Sequence, residues 1–214
     1  MDEETSIIDS NTRNEKIKNF FINNKKTLIS SVIIIIILII SFYAFQIYKD
    51  DRRKNISNKF NNAVIDYKIN NKSEIFKSLK DIVEDKDGTY SPLALYFIID
   101  NNLSKNKNEI NYLFDILINE TSLEIEIKNL IIYKKALFNA DQAGELELIN
   151  ILKPLINSKS IWQSHALFLL GEFFFDKGEI QKSKDFFSQI LNVENPNSEI
   201  LINTQRRLNR DFSD

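Results

Sequence analysis

The sequence predicts an all-α protein: a single transmembrane helix near the N-terminus, then a stack of about four helical hairpins, then a C-terminal capping helix. Three observations predict it. The 214 residues include only four Gly and three Pro, the first of each being Gly88 and Pro92, and a chain with so few breakers reads as helix. Leu28 to Tyr48 runs "LISSVIIIIILIISFYAFQIY" without one charge. One short pattern recurs four times, about 35 residues apart: "NKSEI" from Asn71, "NKNEI" from Asn106, "QAGEL" from Gln142 and "DKGEI" from Asp176.

The apolar stretch divides the chain into a tail (1–27), an anchor (28–48), a repeat domain (49–197) and a capping helix with the C-terminus (198–214). The anchor's 21 residues, at about 1.5 Å each, span roughly 30 Å, the thickness of a bilayer core. A soluble core helix would need covering on every side, and a chain this size has nothing to cover it. A cleavable leader would have a shorter apolar part ending in a small-x-small site; here Phe42 stands two residues before Ala44. The expectation is an uncleaved anchor in the lipid bilayer, with Tyr43 and Tyr48 in an interfacial aromatic belt.

Charge does not orient this anchor. Arg13, Lys16, Lys18, Lys25 and Lys26 on one side balance Lys49, Arg52, Arg53, Lys54 and Lys59 on the other. A short tail before a large domain favours tail inside and domain outside. The tail carries one amphipathic piece, "EKIKNFFINNKK", whose Ile17, Phe20 and Phe21 share a face suited to a membrane surface or a partner. "KDDRRK" (Lys49–Lys54) reads as a solvated interfacial anchor, or as a contact for headgroups or a neighbouring membrane protein. No Gly or Pro interrupts the chain from the anchor into the first repeat helix.

Each recurring pentapeptide is expected to open a helix. Asn71 with Glu74, Asn106 with Glu109, and Asp176 with Glu179 have the spacing of a capping box, and Gln142 makes the third copy weaker. Apolar residues follow at helical spacing: Ile75, Leu79, Ile82 and Val83; Ile110, Leu113, Phe114 and Leu117; Leu146, Ile149, Leu152 and Ile156; Ile180, Phe186, Phe187 and Ile190. Before each lies another helical stretch. These are Lys54–Asn70 (Ile56, Phe60, Val64, Tyr67), Ser91–Lys105 (Leu95, Ile98, Ile99), Leu123–Ala140 (Leu130, Tyr133, Ala136, Leu137) and Ile161–Phe175. A helix-turn-helix unit with a period near 34 is the tetratricopeptide signature, and such units must stack to bury their apolar faces. The domain is therefore expected to be a tetratricopeptide-like α-solenoid. The fourth copy fits best: Leu170-Gly171, Phe174, Gly178, Ser183, Phe187 and Pro196 follow the pattern, with Gly171 and Ser183 small so that two helices approach. Ser198 to Asn209 reads as the capping helix, polar face outward.

Composition excludes several kinds of chemistry. No Cys is present, so disulfides and thiolate metal sites are absent, whichever the redox compartment. A net charge of -2 offers no basic field for nucleic acid. Four scattered Gly make no phosphate-cradling loop. The single histidine, His165, builds no His-based metal cluster and reads as a helix-face residue beside Trp162 and Leu169. The expectation is a protein that is not an enzyme and carries no cofactor. The aromatic residues are the better lead. In the tetratricopeptide register Phe174 is core, while Phe168, Glu172 and Phe175 point into a concave groove. Lys134 and Phe138 take the corresponding places one repeat earlier, and Ile98 one before that. Either this groove receives a segment of a partner, or the terminal helix covers the rings.

The layout also resembles the ancillary subunit family of the bacterial SecYEG translocon, a family of single-pass inner-membrane proteins with a periplasmic tetratricopeptide-like domain. The resemblance lies in order and spacing: the acidic start and "EKIKNFFINNKK" before the anchor, "KFNNAV" after it, "GTYSPLALYFI", Trp162, and "LGEFFFDKGEIQKSKDFF". The chain departs from that family in using Ile, Phe and Asn where the family's helices are Ala-rich. The resemblance implies a cytoplasmic N-terminal tail and a periplasmic domain. It also implies association with the SecYEG translocon and a membrane-anchored periplasmic chaperone, and a role in handing exported proteins from the channel to folding factors. A self-associating scaffold of an envelope-assembly or cell-division complex is the alternative.

Overall fold

The computed structural model describes residues 15–67 and 71–212. Arg13, the acidic start and the last three residues of the predicted Lys54–Asn70 helix lie outside the described residues. Among those described, ten helices and no strand are present: α1 (15–23), α2 (Lys25–Asp66), α3 (Lys72–Glu84), α4 (Tyr90–Asp100), α5 (Lys107–Asn119), α6 (Ile125–Asn139), α7 (Glu145–Ile156), α8 (Gln163–Asp176), α9 (Ile180–Ile190) and α10 (Ser198–Asp211). The chain divides into two compact units, Met1–Asn55 and Ile56–Asp214.

The first unit is dominated by the part of α2 up to Asn55; the helix runs on into the second unit, where Ile56 and Ala63 are buried. Its 42 residues contain neither Gly nor Pro, so nothing breaks the hydrogen-bond ladder. It is long and apolar enough to cross a membrane, and its most apolar stretch has no buried residue. Asn24 separates α1 from α2. Its backbone N–H and side-chain Nδ2 both donate to the Phe20 carbonyl at 3.0 Å, and its own carbonyl accepts from Leu28 N at 2.9 Å.

In the second unit each helix from α3 to α10 packs on its neighbour in sequence, and α3 also meets α5, α6 meets α8 and α8 meets α10. Two interleaved series share one spacing. α3, α5, α7 and α9 begin at Lys72, Lys107, Glu145 and Ile180; α4, α6, α8 and α10 begin at Tyr90, Ile125, Gln163 and Ser198. Both series advance by 35, then 38, then 35 residues. Polar contacts follow the same interval: Lys107 with Gln142, Ser160 with Glu126, Lys159 with Glu194 and Arg207 with Glu172. α10 continues the second series and packs on α8 and α9 as the next member of the row.

The apolar faces of α3 and α5 are those the sequence predicts. Ile75, Leu79, Ile82 and Val83 are buried, as are Ile110, Leu113, Phe114 and Leu117. The later copies differ. Leu146 is 77% exposed and Ile180 48%, while Leu148, Leu152 and Leu155 form the buried face of α7. Leu137 and Ile161 are exposed too, and Asn129, Ile131 and Ile132 are buried in α6 instead. The physical reason is where each helix starts. α3 and α5 begin on the second residue of the pentapeptide, α7 on the fourth and α9 on the fifth. The apolar residue that closes the motif thus lies within the first turn of α3 and α5, but only at the edge of α7 and α9.

Only one capping box is partly realised. Asn106 Oδ1 accepts from Asn108 N and Glu109 N at 3.1 and 3.2 Å. The return arm passes through Ser104, whose Oγ accepts from Asn106 N and donates to Glu109. Asn71 does not cap the backbone; its Nδ2 donates to the Glu74 carboxylate. Asp176 is the last residue of α8. Gly178, at φ +76°, closes that helix, with Gly178 N donating to Phe175 O and Glu179 N to Phe174 O, both at 2.9 Å. This is the Schellman geometry that glycine adopts without steric cost.

Gly171 and Ser183 let α8 and α9 approach. A Cβ on Gly171 would stand 2.6–2.8 Å from the Phe187 ring, and Ser183 Oγ donates to the Gly171 carbonyl at 2.8 Å.

Candidate partner-binding face

The predicted groove residues do not form one surface. Ile98 is fully buried in the core with Leu95 and Leu113, so it offers a partner nothing. α4 and α6 start 35 residues apart, so half-buried Ile99 and not Ile98 corresponds to Lys134, and Tyr96 is the α4 residue that Lys134 meets. Lys134 on α6 stands over the Tyr96 ring, its Nζ 4.4 Å from the centroid. Phe138, one turn further along α6, packs on Phe114 of α5 at 5.9 Å.

Of the three α8 residues, Phe168 packs on α9, while Glu172 and Phe175 meet α10. Phe168 meets the Phe187 ring at 5.4 Å. Phe175 lies under the Arg207 guanidinium at 4.5 Å and against Phe212 at 5.8 Å. Glu172 accepts a two-pronged contact from Arg207, with Nε–Oε1 at 2.7 Å and the second prong from Nη2 to Oε2. Arg207 also donates from Nη1 to Asp211 at 2.7 Å. Such a fork satisfies a half-buried carboxylate far better than a lone ammonium would. The bond to Glu172 raises the Arg207 pKa, and Arg210 beside Asp211 holds that carboxyl down at about 2.

A pattern the sequence reading missed runs along α4, α6, α8 and α10. At each junction an aromatic ring on one helix meets a nitrogen-bearing side chain from the next. Tyr96 meets Lys134, Tyr133 meets His165 at 5.7 Å, and Phe175 meets Arg207. Trp162 joins the middle junction, stacked on Tyr133 at 5.7 Å and tilted against His165 at 5.1 Å. Burial pushes the Tyr96 hydroxyl up to about 12, raises Tyr133 and lowers His165, with the Ile161 backbone and then Glu199 opposing the last. Tyr96 OH, Trp162 Nε1 and His165 Nδ1 are buried with no hydrogen-bond partner among the described residues. The signal for Arg207 was present: it lies 35 residues after Glu172, one repeat on, but its place on a polar terminal helix disguised it.

α10 packs on α8 and α9. It leaves Lys134 and Phe138 half-buried on α6 beside exposed Leu137, and Ile125 and Ile127 exposed at the start of that helix. Ser160 Oγ donates to Glu126 at 2.7 Å, which brings exposed Ile161 to the same end. This arrangement offers rings, alkyl groups and one cation, which suits a peptide or helix surface. Among the described residues no group of three or more His, Asp or Glu stands ready to hold a metal.

Comparison of the chain with protein-family models, with curated proteins and with solved structures gives no match.

Proposed function

We propose that this chain is a membrane-anchored protein–protein interaction module. In this reading α2 crosses the bilayer through Leu28–Tyr48, and the second unit is a tetratricopeptide-like solenoid closed by α10. The observation that carries it is the shared spacing of 35, 38 and 35 residues in both helix series, together with side-chain contacts at the same interval. Stacked repeats are held by such nearest-neighbour contacts, and extended repeat surfaces serve to bind other proteins. An uncharged stretch with no buried residue supports the anchor, because exposing that much hydrocarbon to water is strongly unfavourable.

The specific role comes from the resemblance set out above. The protein acts as an ancillary subunit at the SecYEG translocon of a bacterial inner membrane, tail in the cytoplasm and helical domain in the periplasm. There it passes exported proteins to a membrane-anchored chaperone. The exposed part of α6 around Lys134 and Phe138 is the docking face. The test is crosslinking of the tagged full chain in its own cell, gentle extraction, and identification of the captured proteins. Translocon subunits with a periplasmic chaperone support the role. Capture of the chain itself or of division proteins instead supports a self-associating envelope scaffold and overturns it.

A further inference from the structure

The first unit holds a cleft that the docking of proteins does not use. At the Asn24 junction, Phe21 and Ile22 of α1 and Leu28, Ile29, Val32 and Ile33 of α2 line an open groove of about 510 Å³, with Lys25 the one charged residue in the wall. That is the size of an ordinary ligand pocket, about 300–1,000 Å³, but these walls are almost wholly apolar. Phe21, Ile29, Val32 and Ile33 are each at least half exposed. The cleft opens directly onto the uncharged stretch that begins at Leu28. Around it basic residues outnumber acids within residues 15–27: Lys16, Lys18, Lys25 and Lys26 stand against the single acid Glu15.

We propose that this cleft binds one anionic phospholipid. An acyl chain lies along Phe21, Ile29, Val32 and Ile33, and the headgroup phosphate meets Lys25 and Lys26. The proposal rests on the reading of α2 as a membrane-crossing helix. A peptide is the poorer occupant. Its backbone N–H and C=O groups would need partners that a wall of Phe, Leu, Ile and Val does not provide, whereas a hydrocarbon chain needs none. An amphipathic helix with lysines, lying at the start of a bilayer-length apolar stretch, also has the composition that seeks anionic surfaces. The preference over a zwitterionic lipid comes from net charge: each basic residue near an anionic surface adds roughly fivefold in binding.

The experiment uses the full chain reconstituted in two bilayers, phosphatidylcholine alone and phosphatidylcholine with one-fifth phosphatidylglycerol. Insertion is read by flotation after alkaline washing, and retained lipid by native mass spectrometry after mild extraction. A Phe21→Trp reporter in a Trp162→Phe background is read by quenching from brominated acyl chains. The expected result is phosphatidylglycerol enriched several-fold over the bulk ratio. The fluorescence of the Phe21→Trp reporter should be quenched, and enrichment should be lost in the inserted Lys25→Gln/Lys26→Gln double variant. Inserted wild-type protein carrying lipid at the bulk ratio overturns the lipid site alone. Enrichment that survives in the double variant also overturns it, because the anion is then held elsewhere. Failure of the wild-type chain to insert overturns both the site and the anchor.

Discussion

The two ends of the helical domain are built on one spacing and held by different chemistry. α3 to α5 close on a mostly aliphatic core in which Phe114 is the fully buried ring, with an asparagine cap at Asn106 and the ion pair of Lys80 with Glu109 at 2.7 Å. α8 to α10 close on phenylalanines. Phe174 and Phe186 stack at 5.4 Å, Phe187 touches both Phe168 and Phe212, and Arg207 covers Phe175. The interval between helix starts is thus nearly kept along the domain while the contacts that hold the helices are not. Burying apolar area is non-directional, so either set of residues satisfies the same helix spacing. The aromatic end depends on a few large, mutually fitted rings, and it should fail more sharply when one is removed.

The largest effect is therefore expected at Phe187. It is fully buried at the meeting of α8, α9 and α10. Phe187→Ala should cost about 3–5 kcal/mol, and lower the melting temperature of the full chain in detergent by roughly 10 °C. Gly171→Val attacks the same contact from the other side, since even a Cβ there meets the Phe187 ring; overpacking of this kind costs about 1–3 kcal/mol. Shrinking the ring should relieve it, so Gly171→Ala combined with Phe187→Leu should be less harmful than the sum of the two changes. Gly144, with open space around its Cβ position, should accept Ala nearly neutrally. Equal tolerance at Gly171 and Gly144 would show that α8 and α9 are not packed as closely as the Gly171–Phe187 contact indicates.

How much of this was legible depends on phase. The faces of α3 and α5 were read correctly because their helices begin at once after an asparagine, so every residue of the motif already has helical spacing. Leu146 and Ile180 carry the same letters, yet Gly144 and Gly178 delay the helix by two or three residues and swing those side chains outward. Period alone does not report where a helix begins. Ile98 was read as groove-facing by counting back 36 residues from Lys134, whereas α4 and α6 start 35 apart, and a slip of one residue turns a helix position by about 100°. The contacts of Arg207 needed the fold itself, because nothing local tells an inward arginine on a polar helix from an outward one.

The next effect down tests the α10 closure. Arg207 is the sole fork reaching Glu172, Asp211 and the Phe175 ring together. Arg207→Met keeps the alkyl cover and removes the charge, leaving Glu172 without this donor while Asp211 keeps Arg210. A cost of about 2 kcal/mol is expected, the scale of hydrogen bonds to charged groups. Adding Glu172→Gln should recover part of it. Hydrogen exchange should show the loss concentrated in α9 and α10, with α3 to α5 unchanged. Uniform loss along the domain would mean that the ends are not energetically separate.

At the aliphatic end a smaller contrast applies. Asn106→Ala should cost about 1 kcal/mol, because its side chain satisfies two N–H groups of α5. Asn71→Ala, at the matching place before α3, should stay within about 0.5 kcal/mol, because Asn71 makes no backbone cap. Chemical denaturation of the two variants side by side decides it. Equal costs would show that Asn71 caps α3 in solution after all.

The smallest expected effect lies at the middle junction, where the two kinds of packing meet. Burial between Tyr133 and Trp162 lowers the His165 pKa below its ordinary value near 6.5. In the folded chain the ring therefore stays neutral where the unfolded chain already holds a proton. The sign follows from that difference. Above about pH 6.5 both states are neutral at this site and it has no effect; as the pH falls below that value the unfolded state gains the proton first, and stability declines until the folded pKa is reached. His165→Gln removes the titration while leaving a polar group of similar reach. The melting temperature of the wild type should therefore fall more steeply than that of the variant between about pH 6.5 and 5, with the two curves parallel from about pH 7 to 8. Parallel curves throughout would mean that His165 is as solvated when folded as when unfolded, and that the Tyr133–Trp162 stack does not shield it.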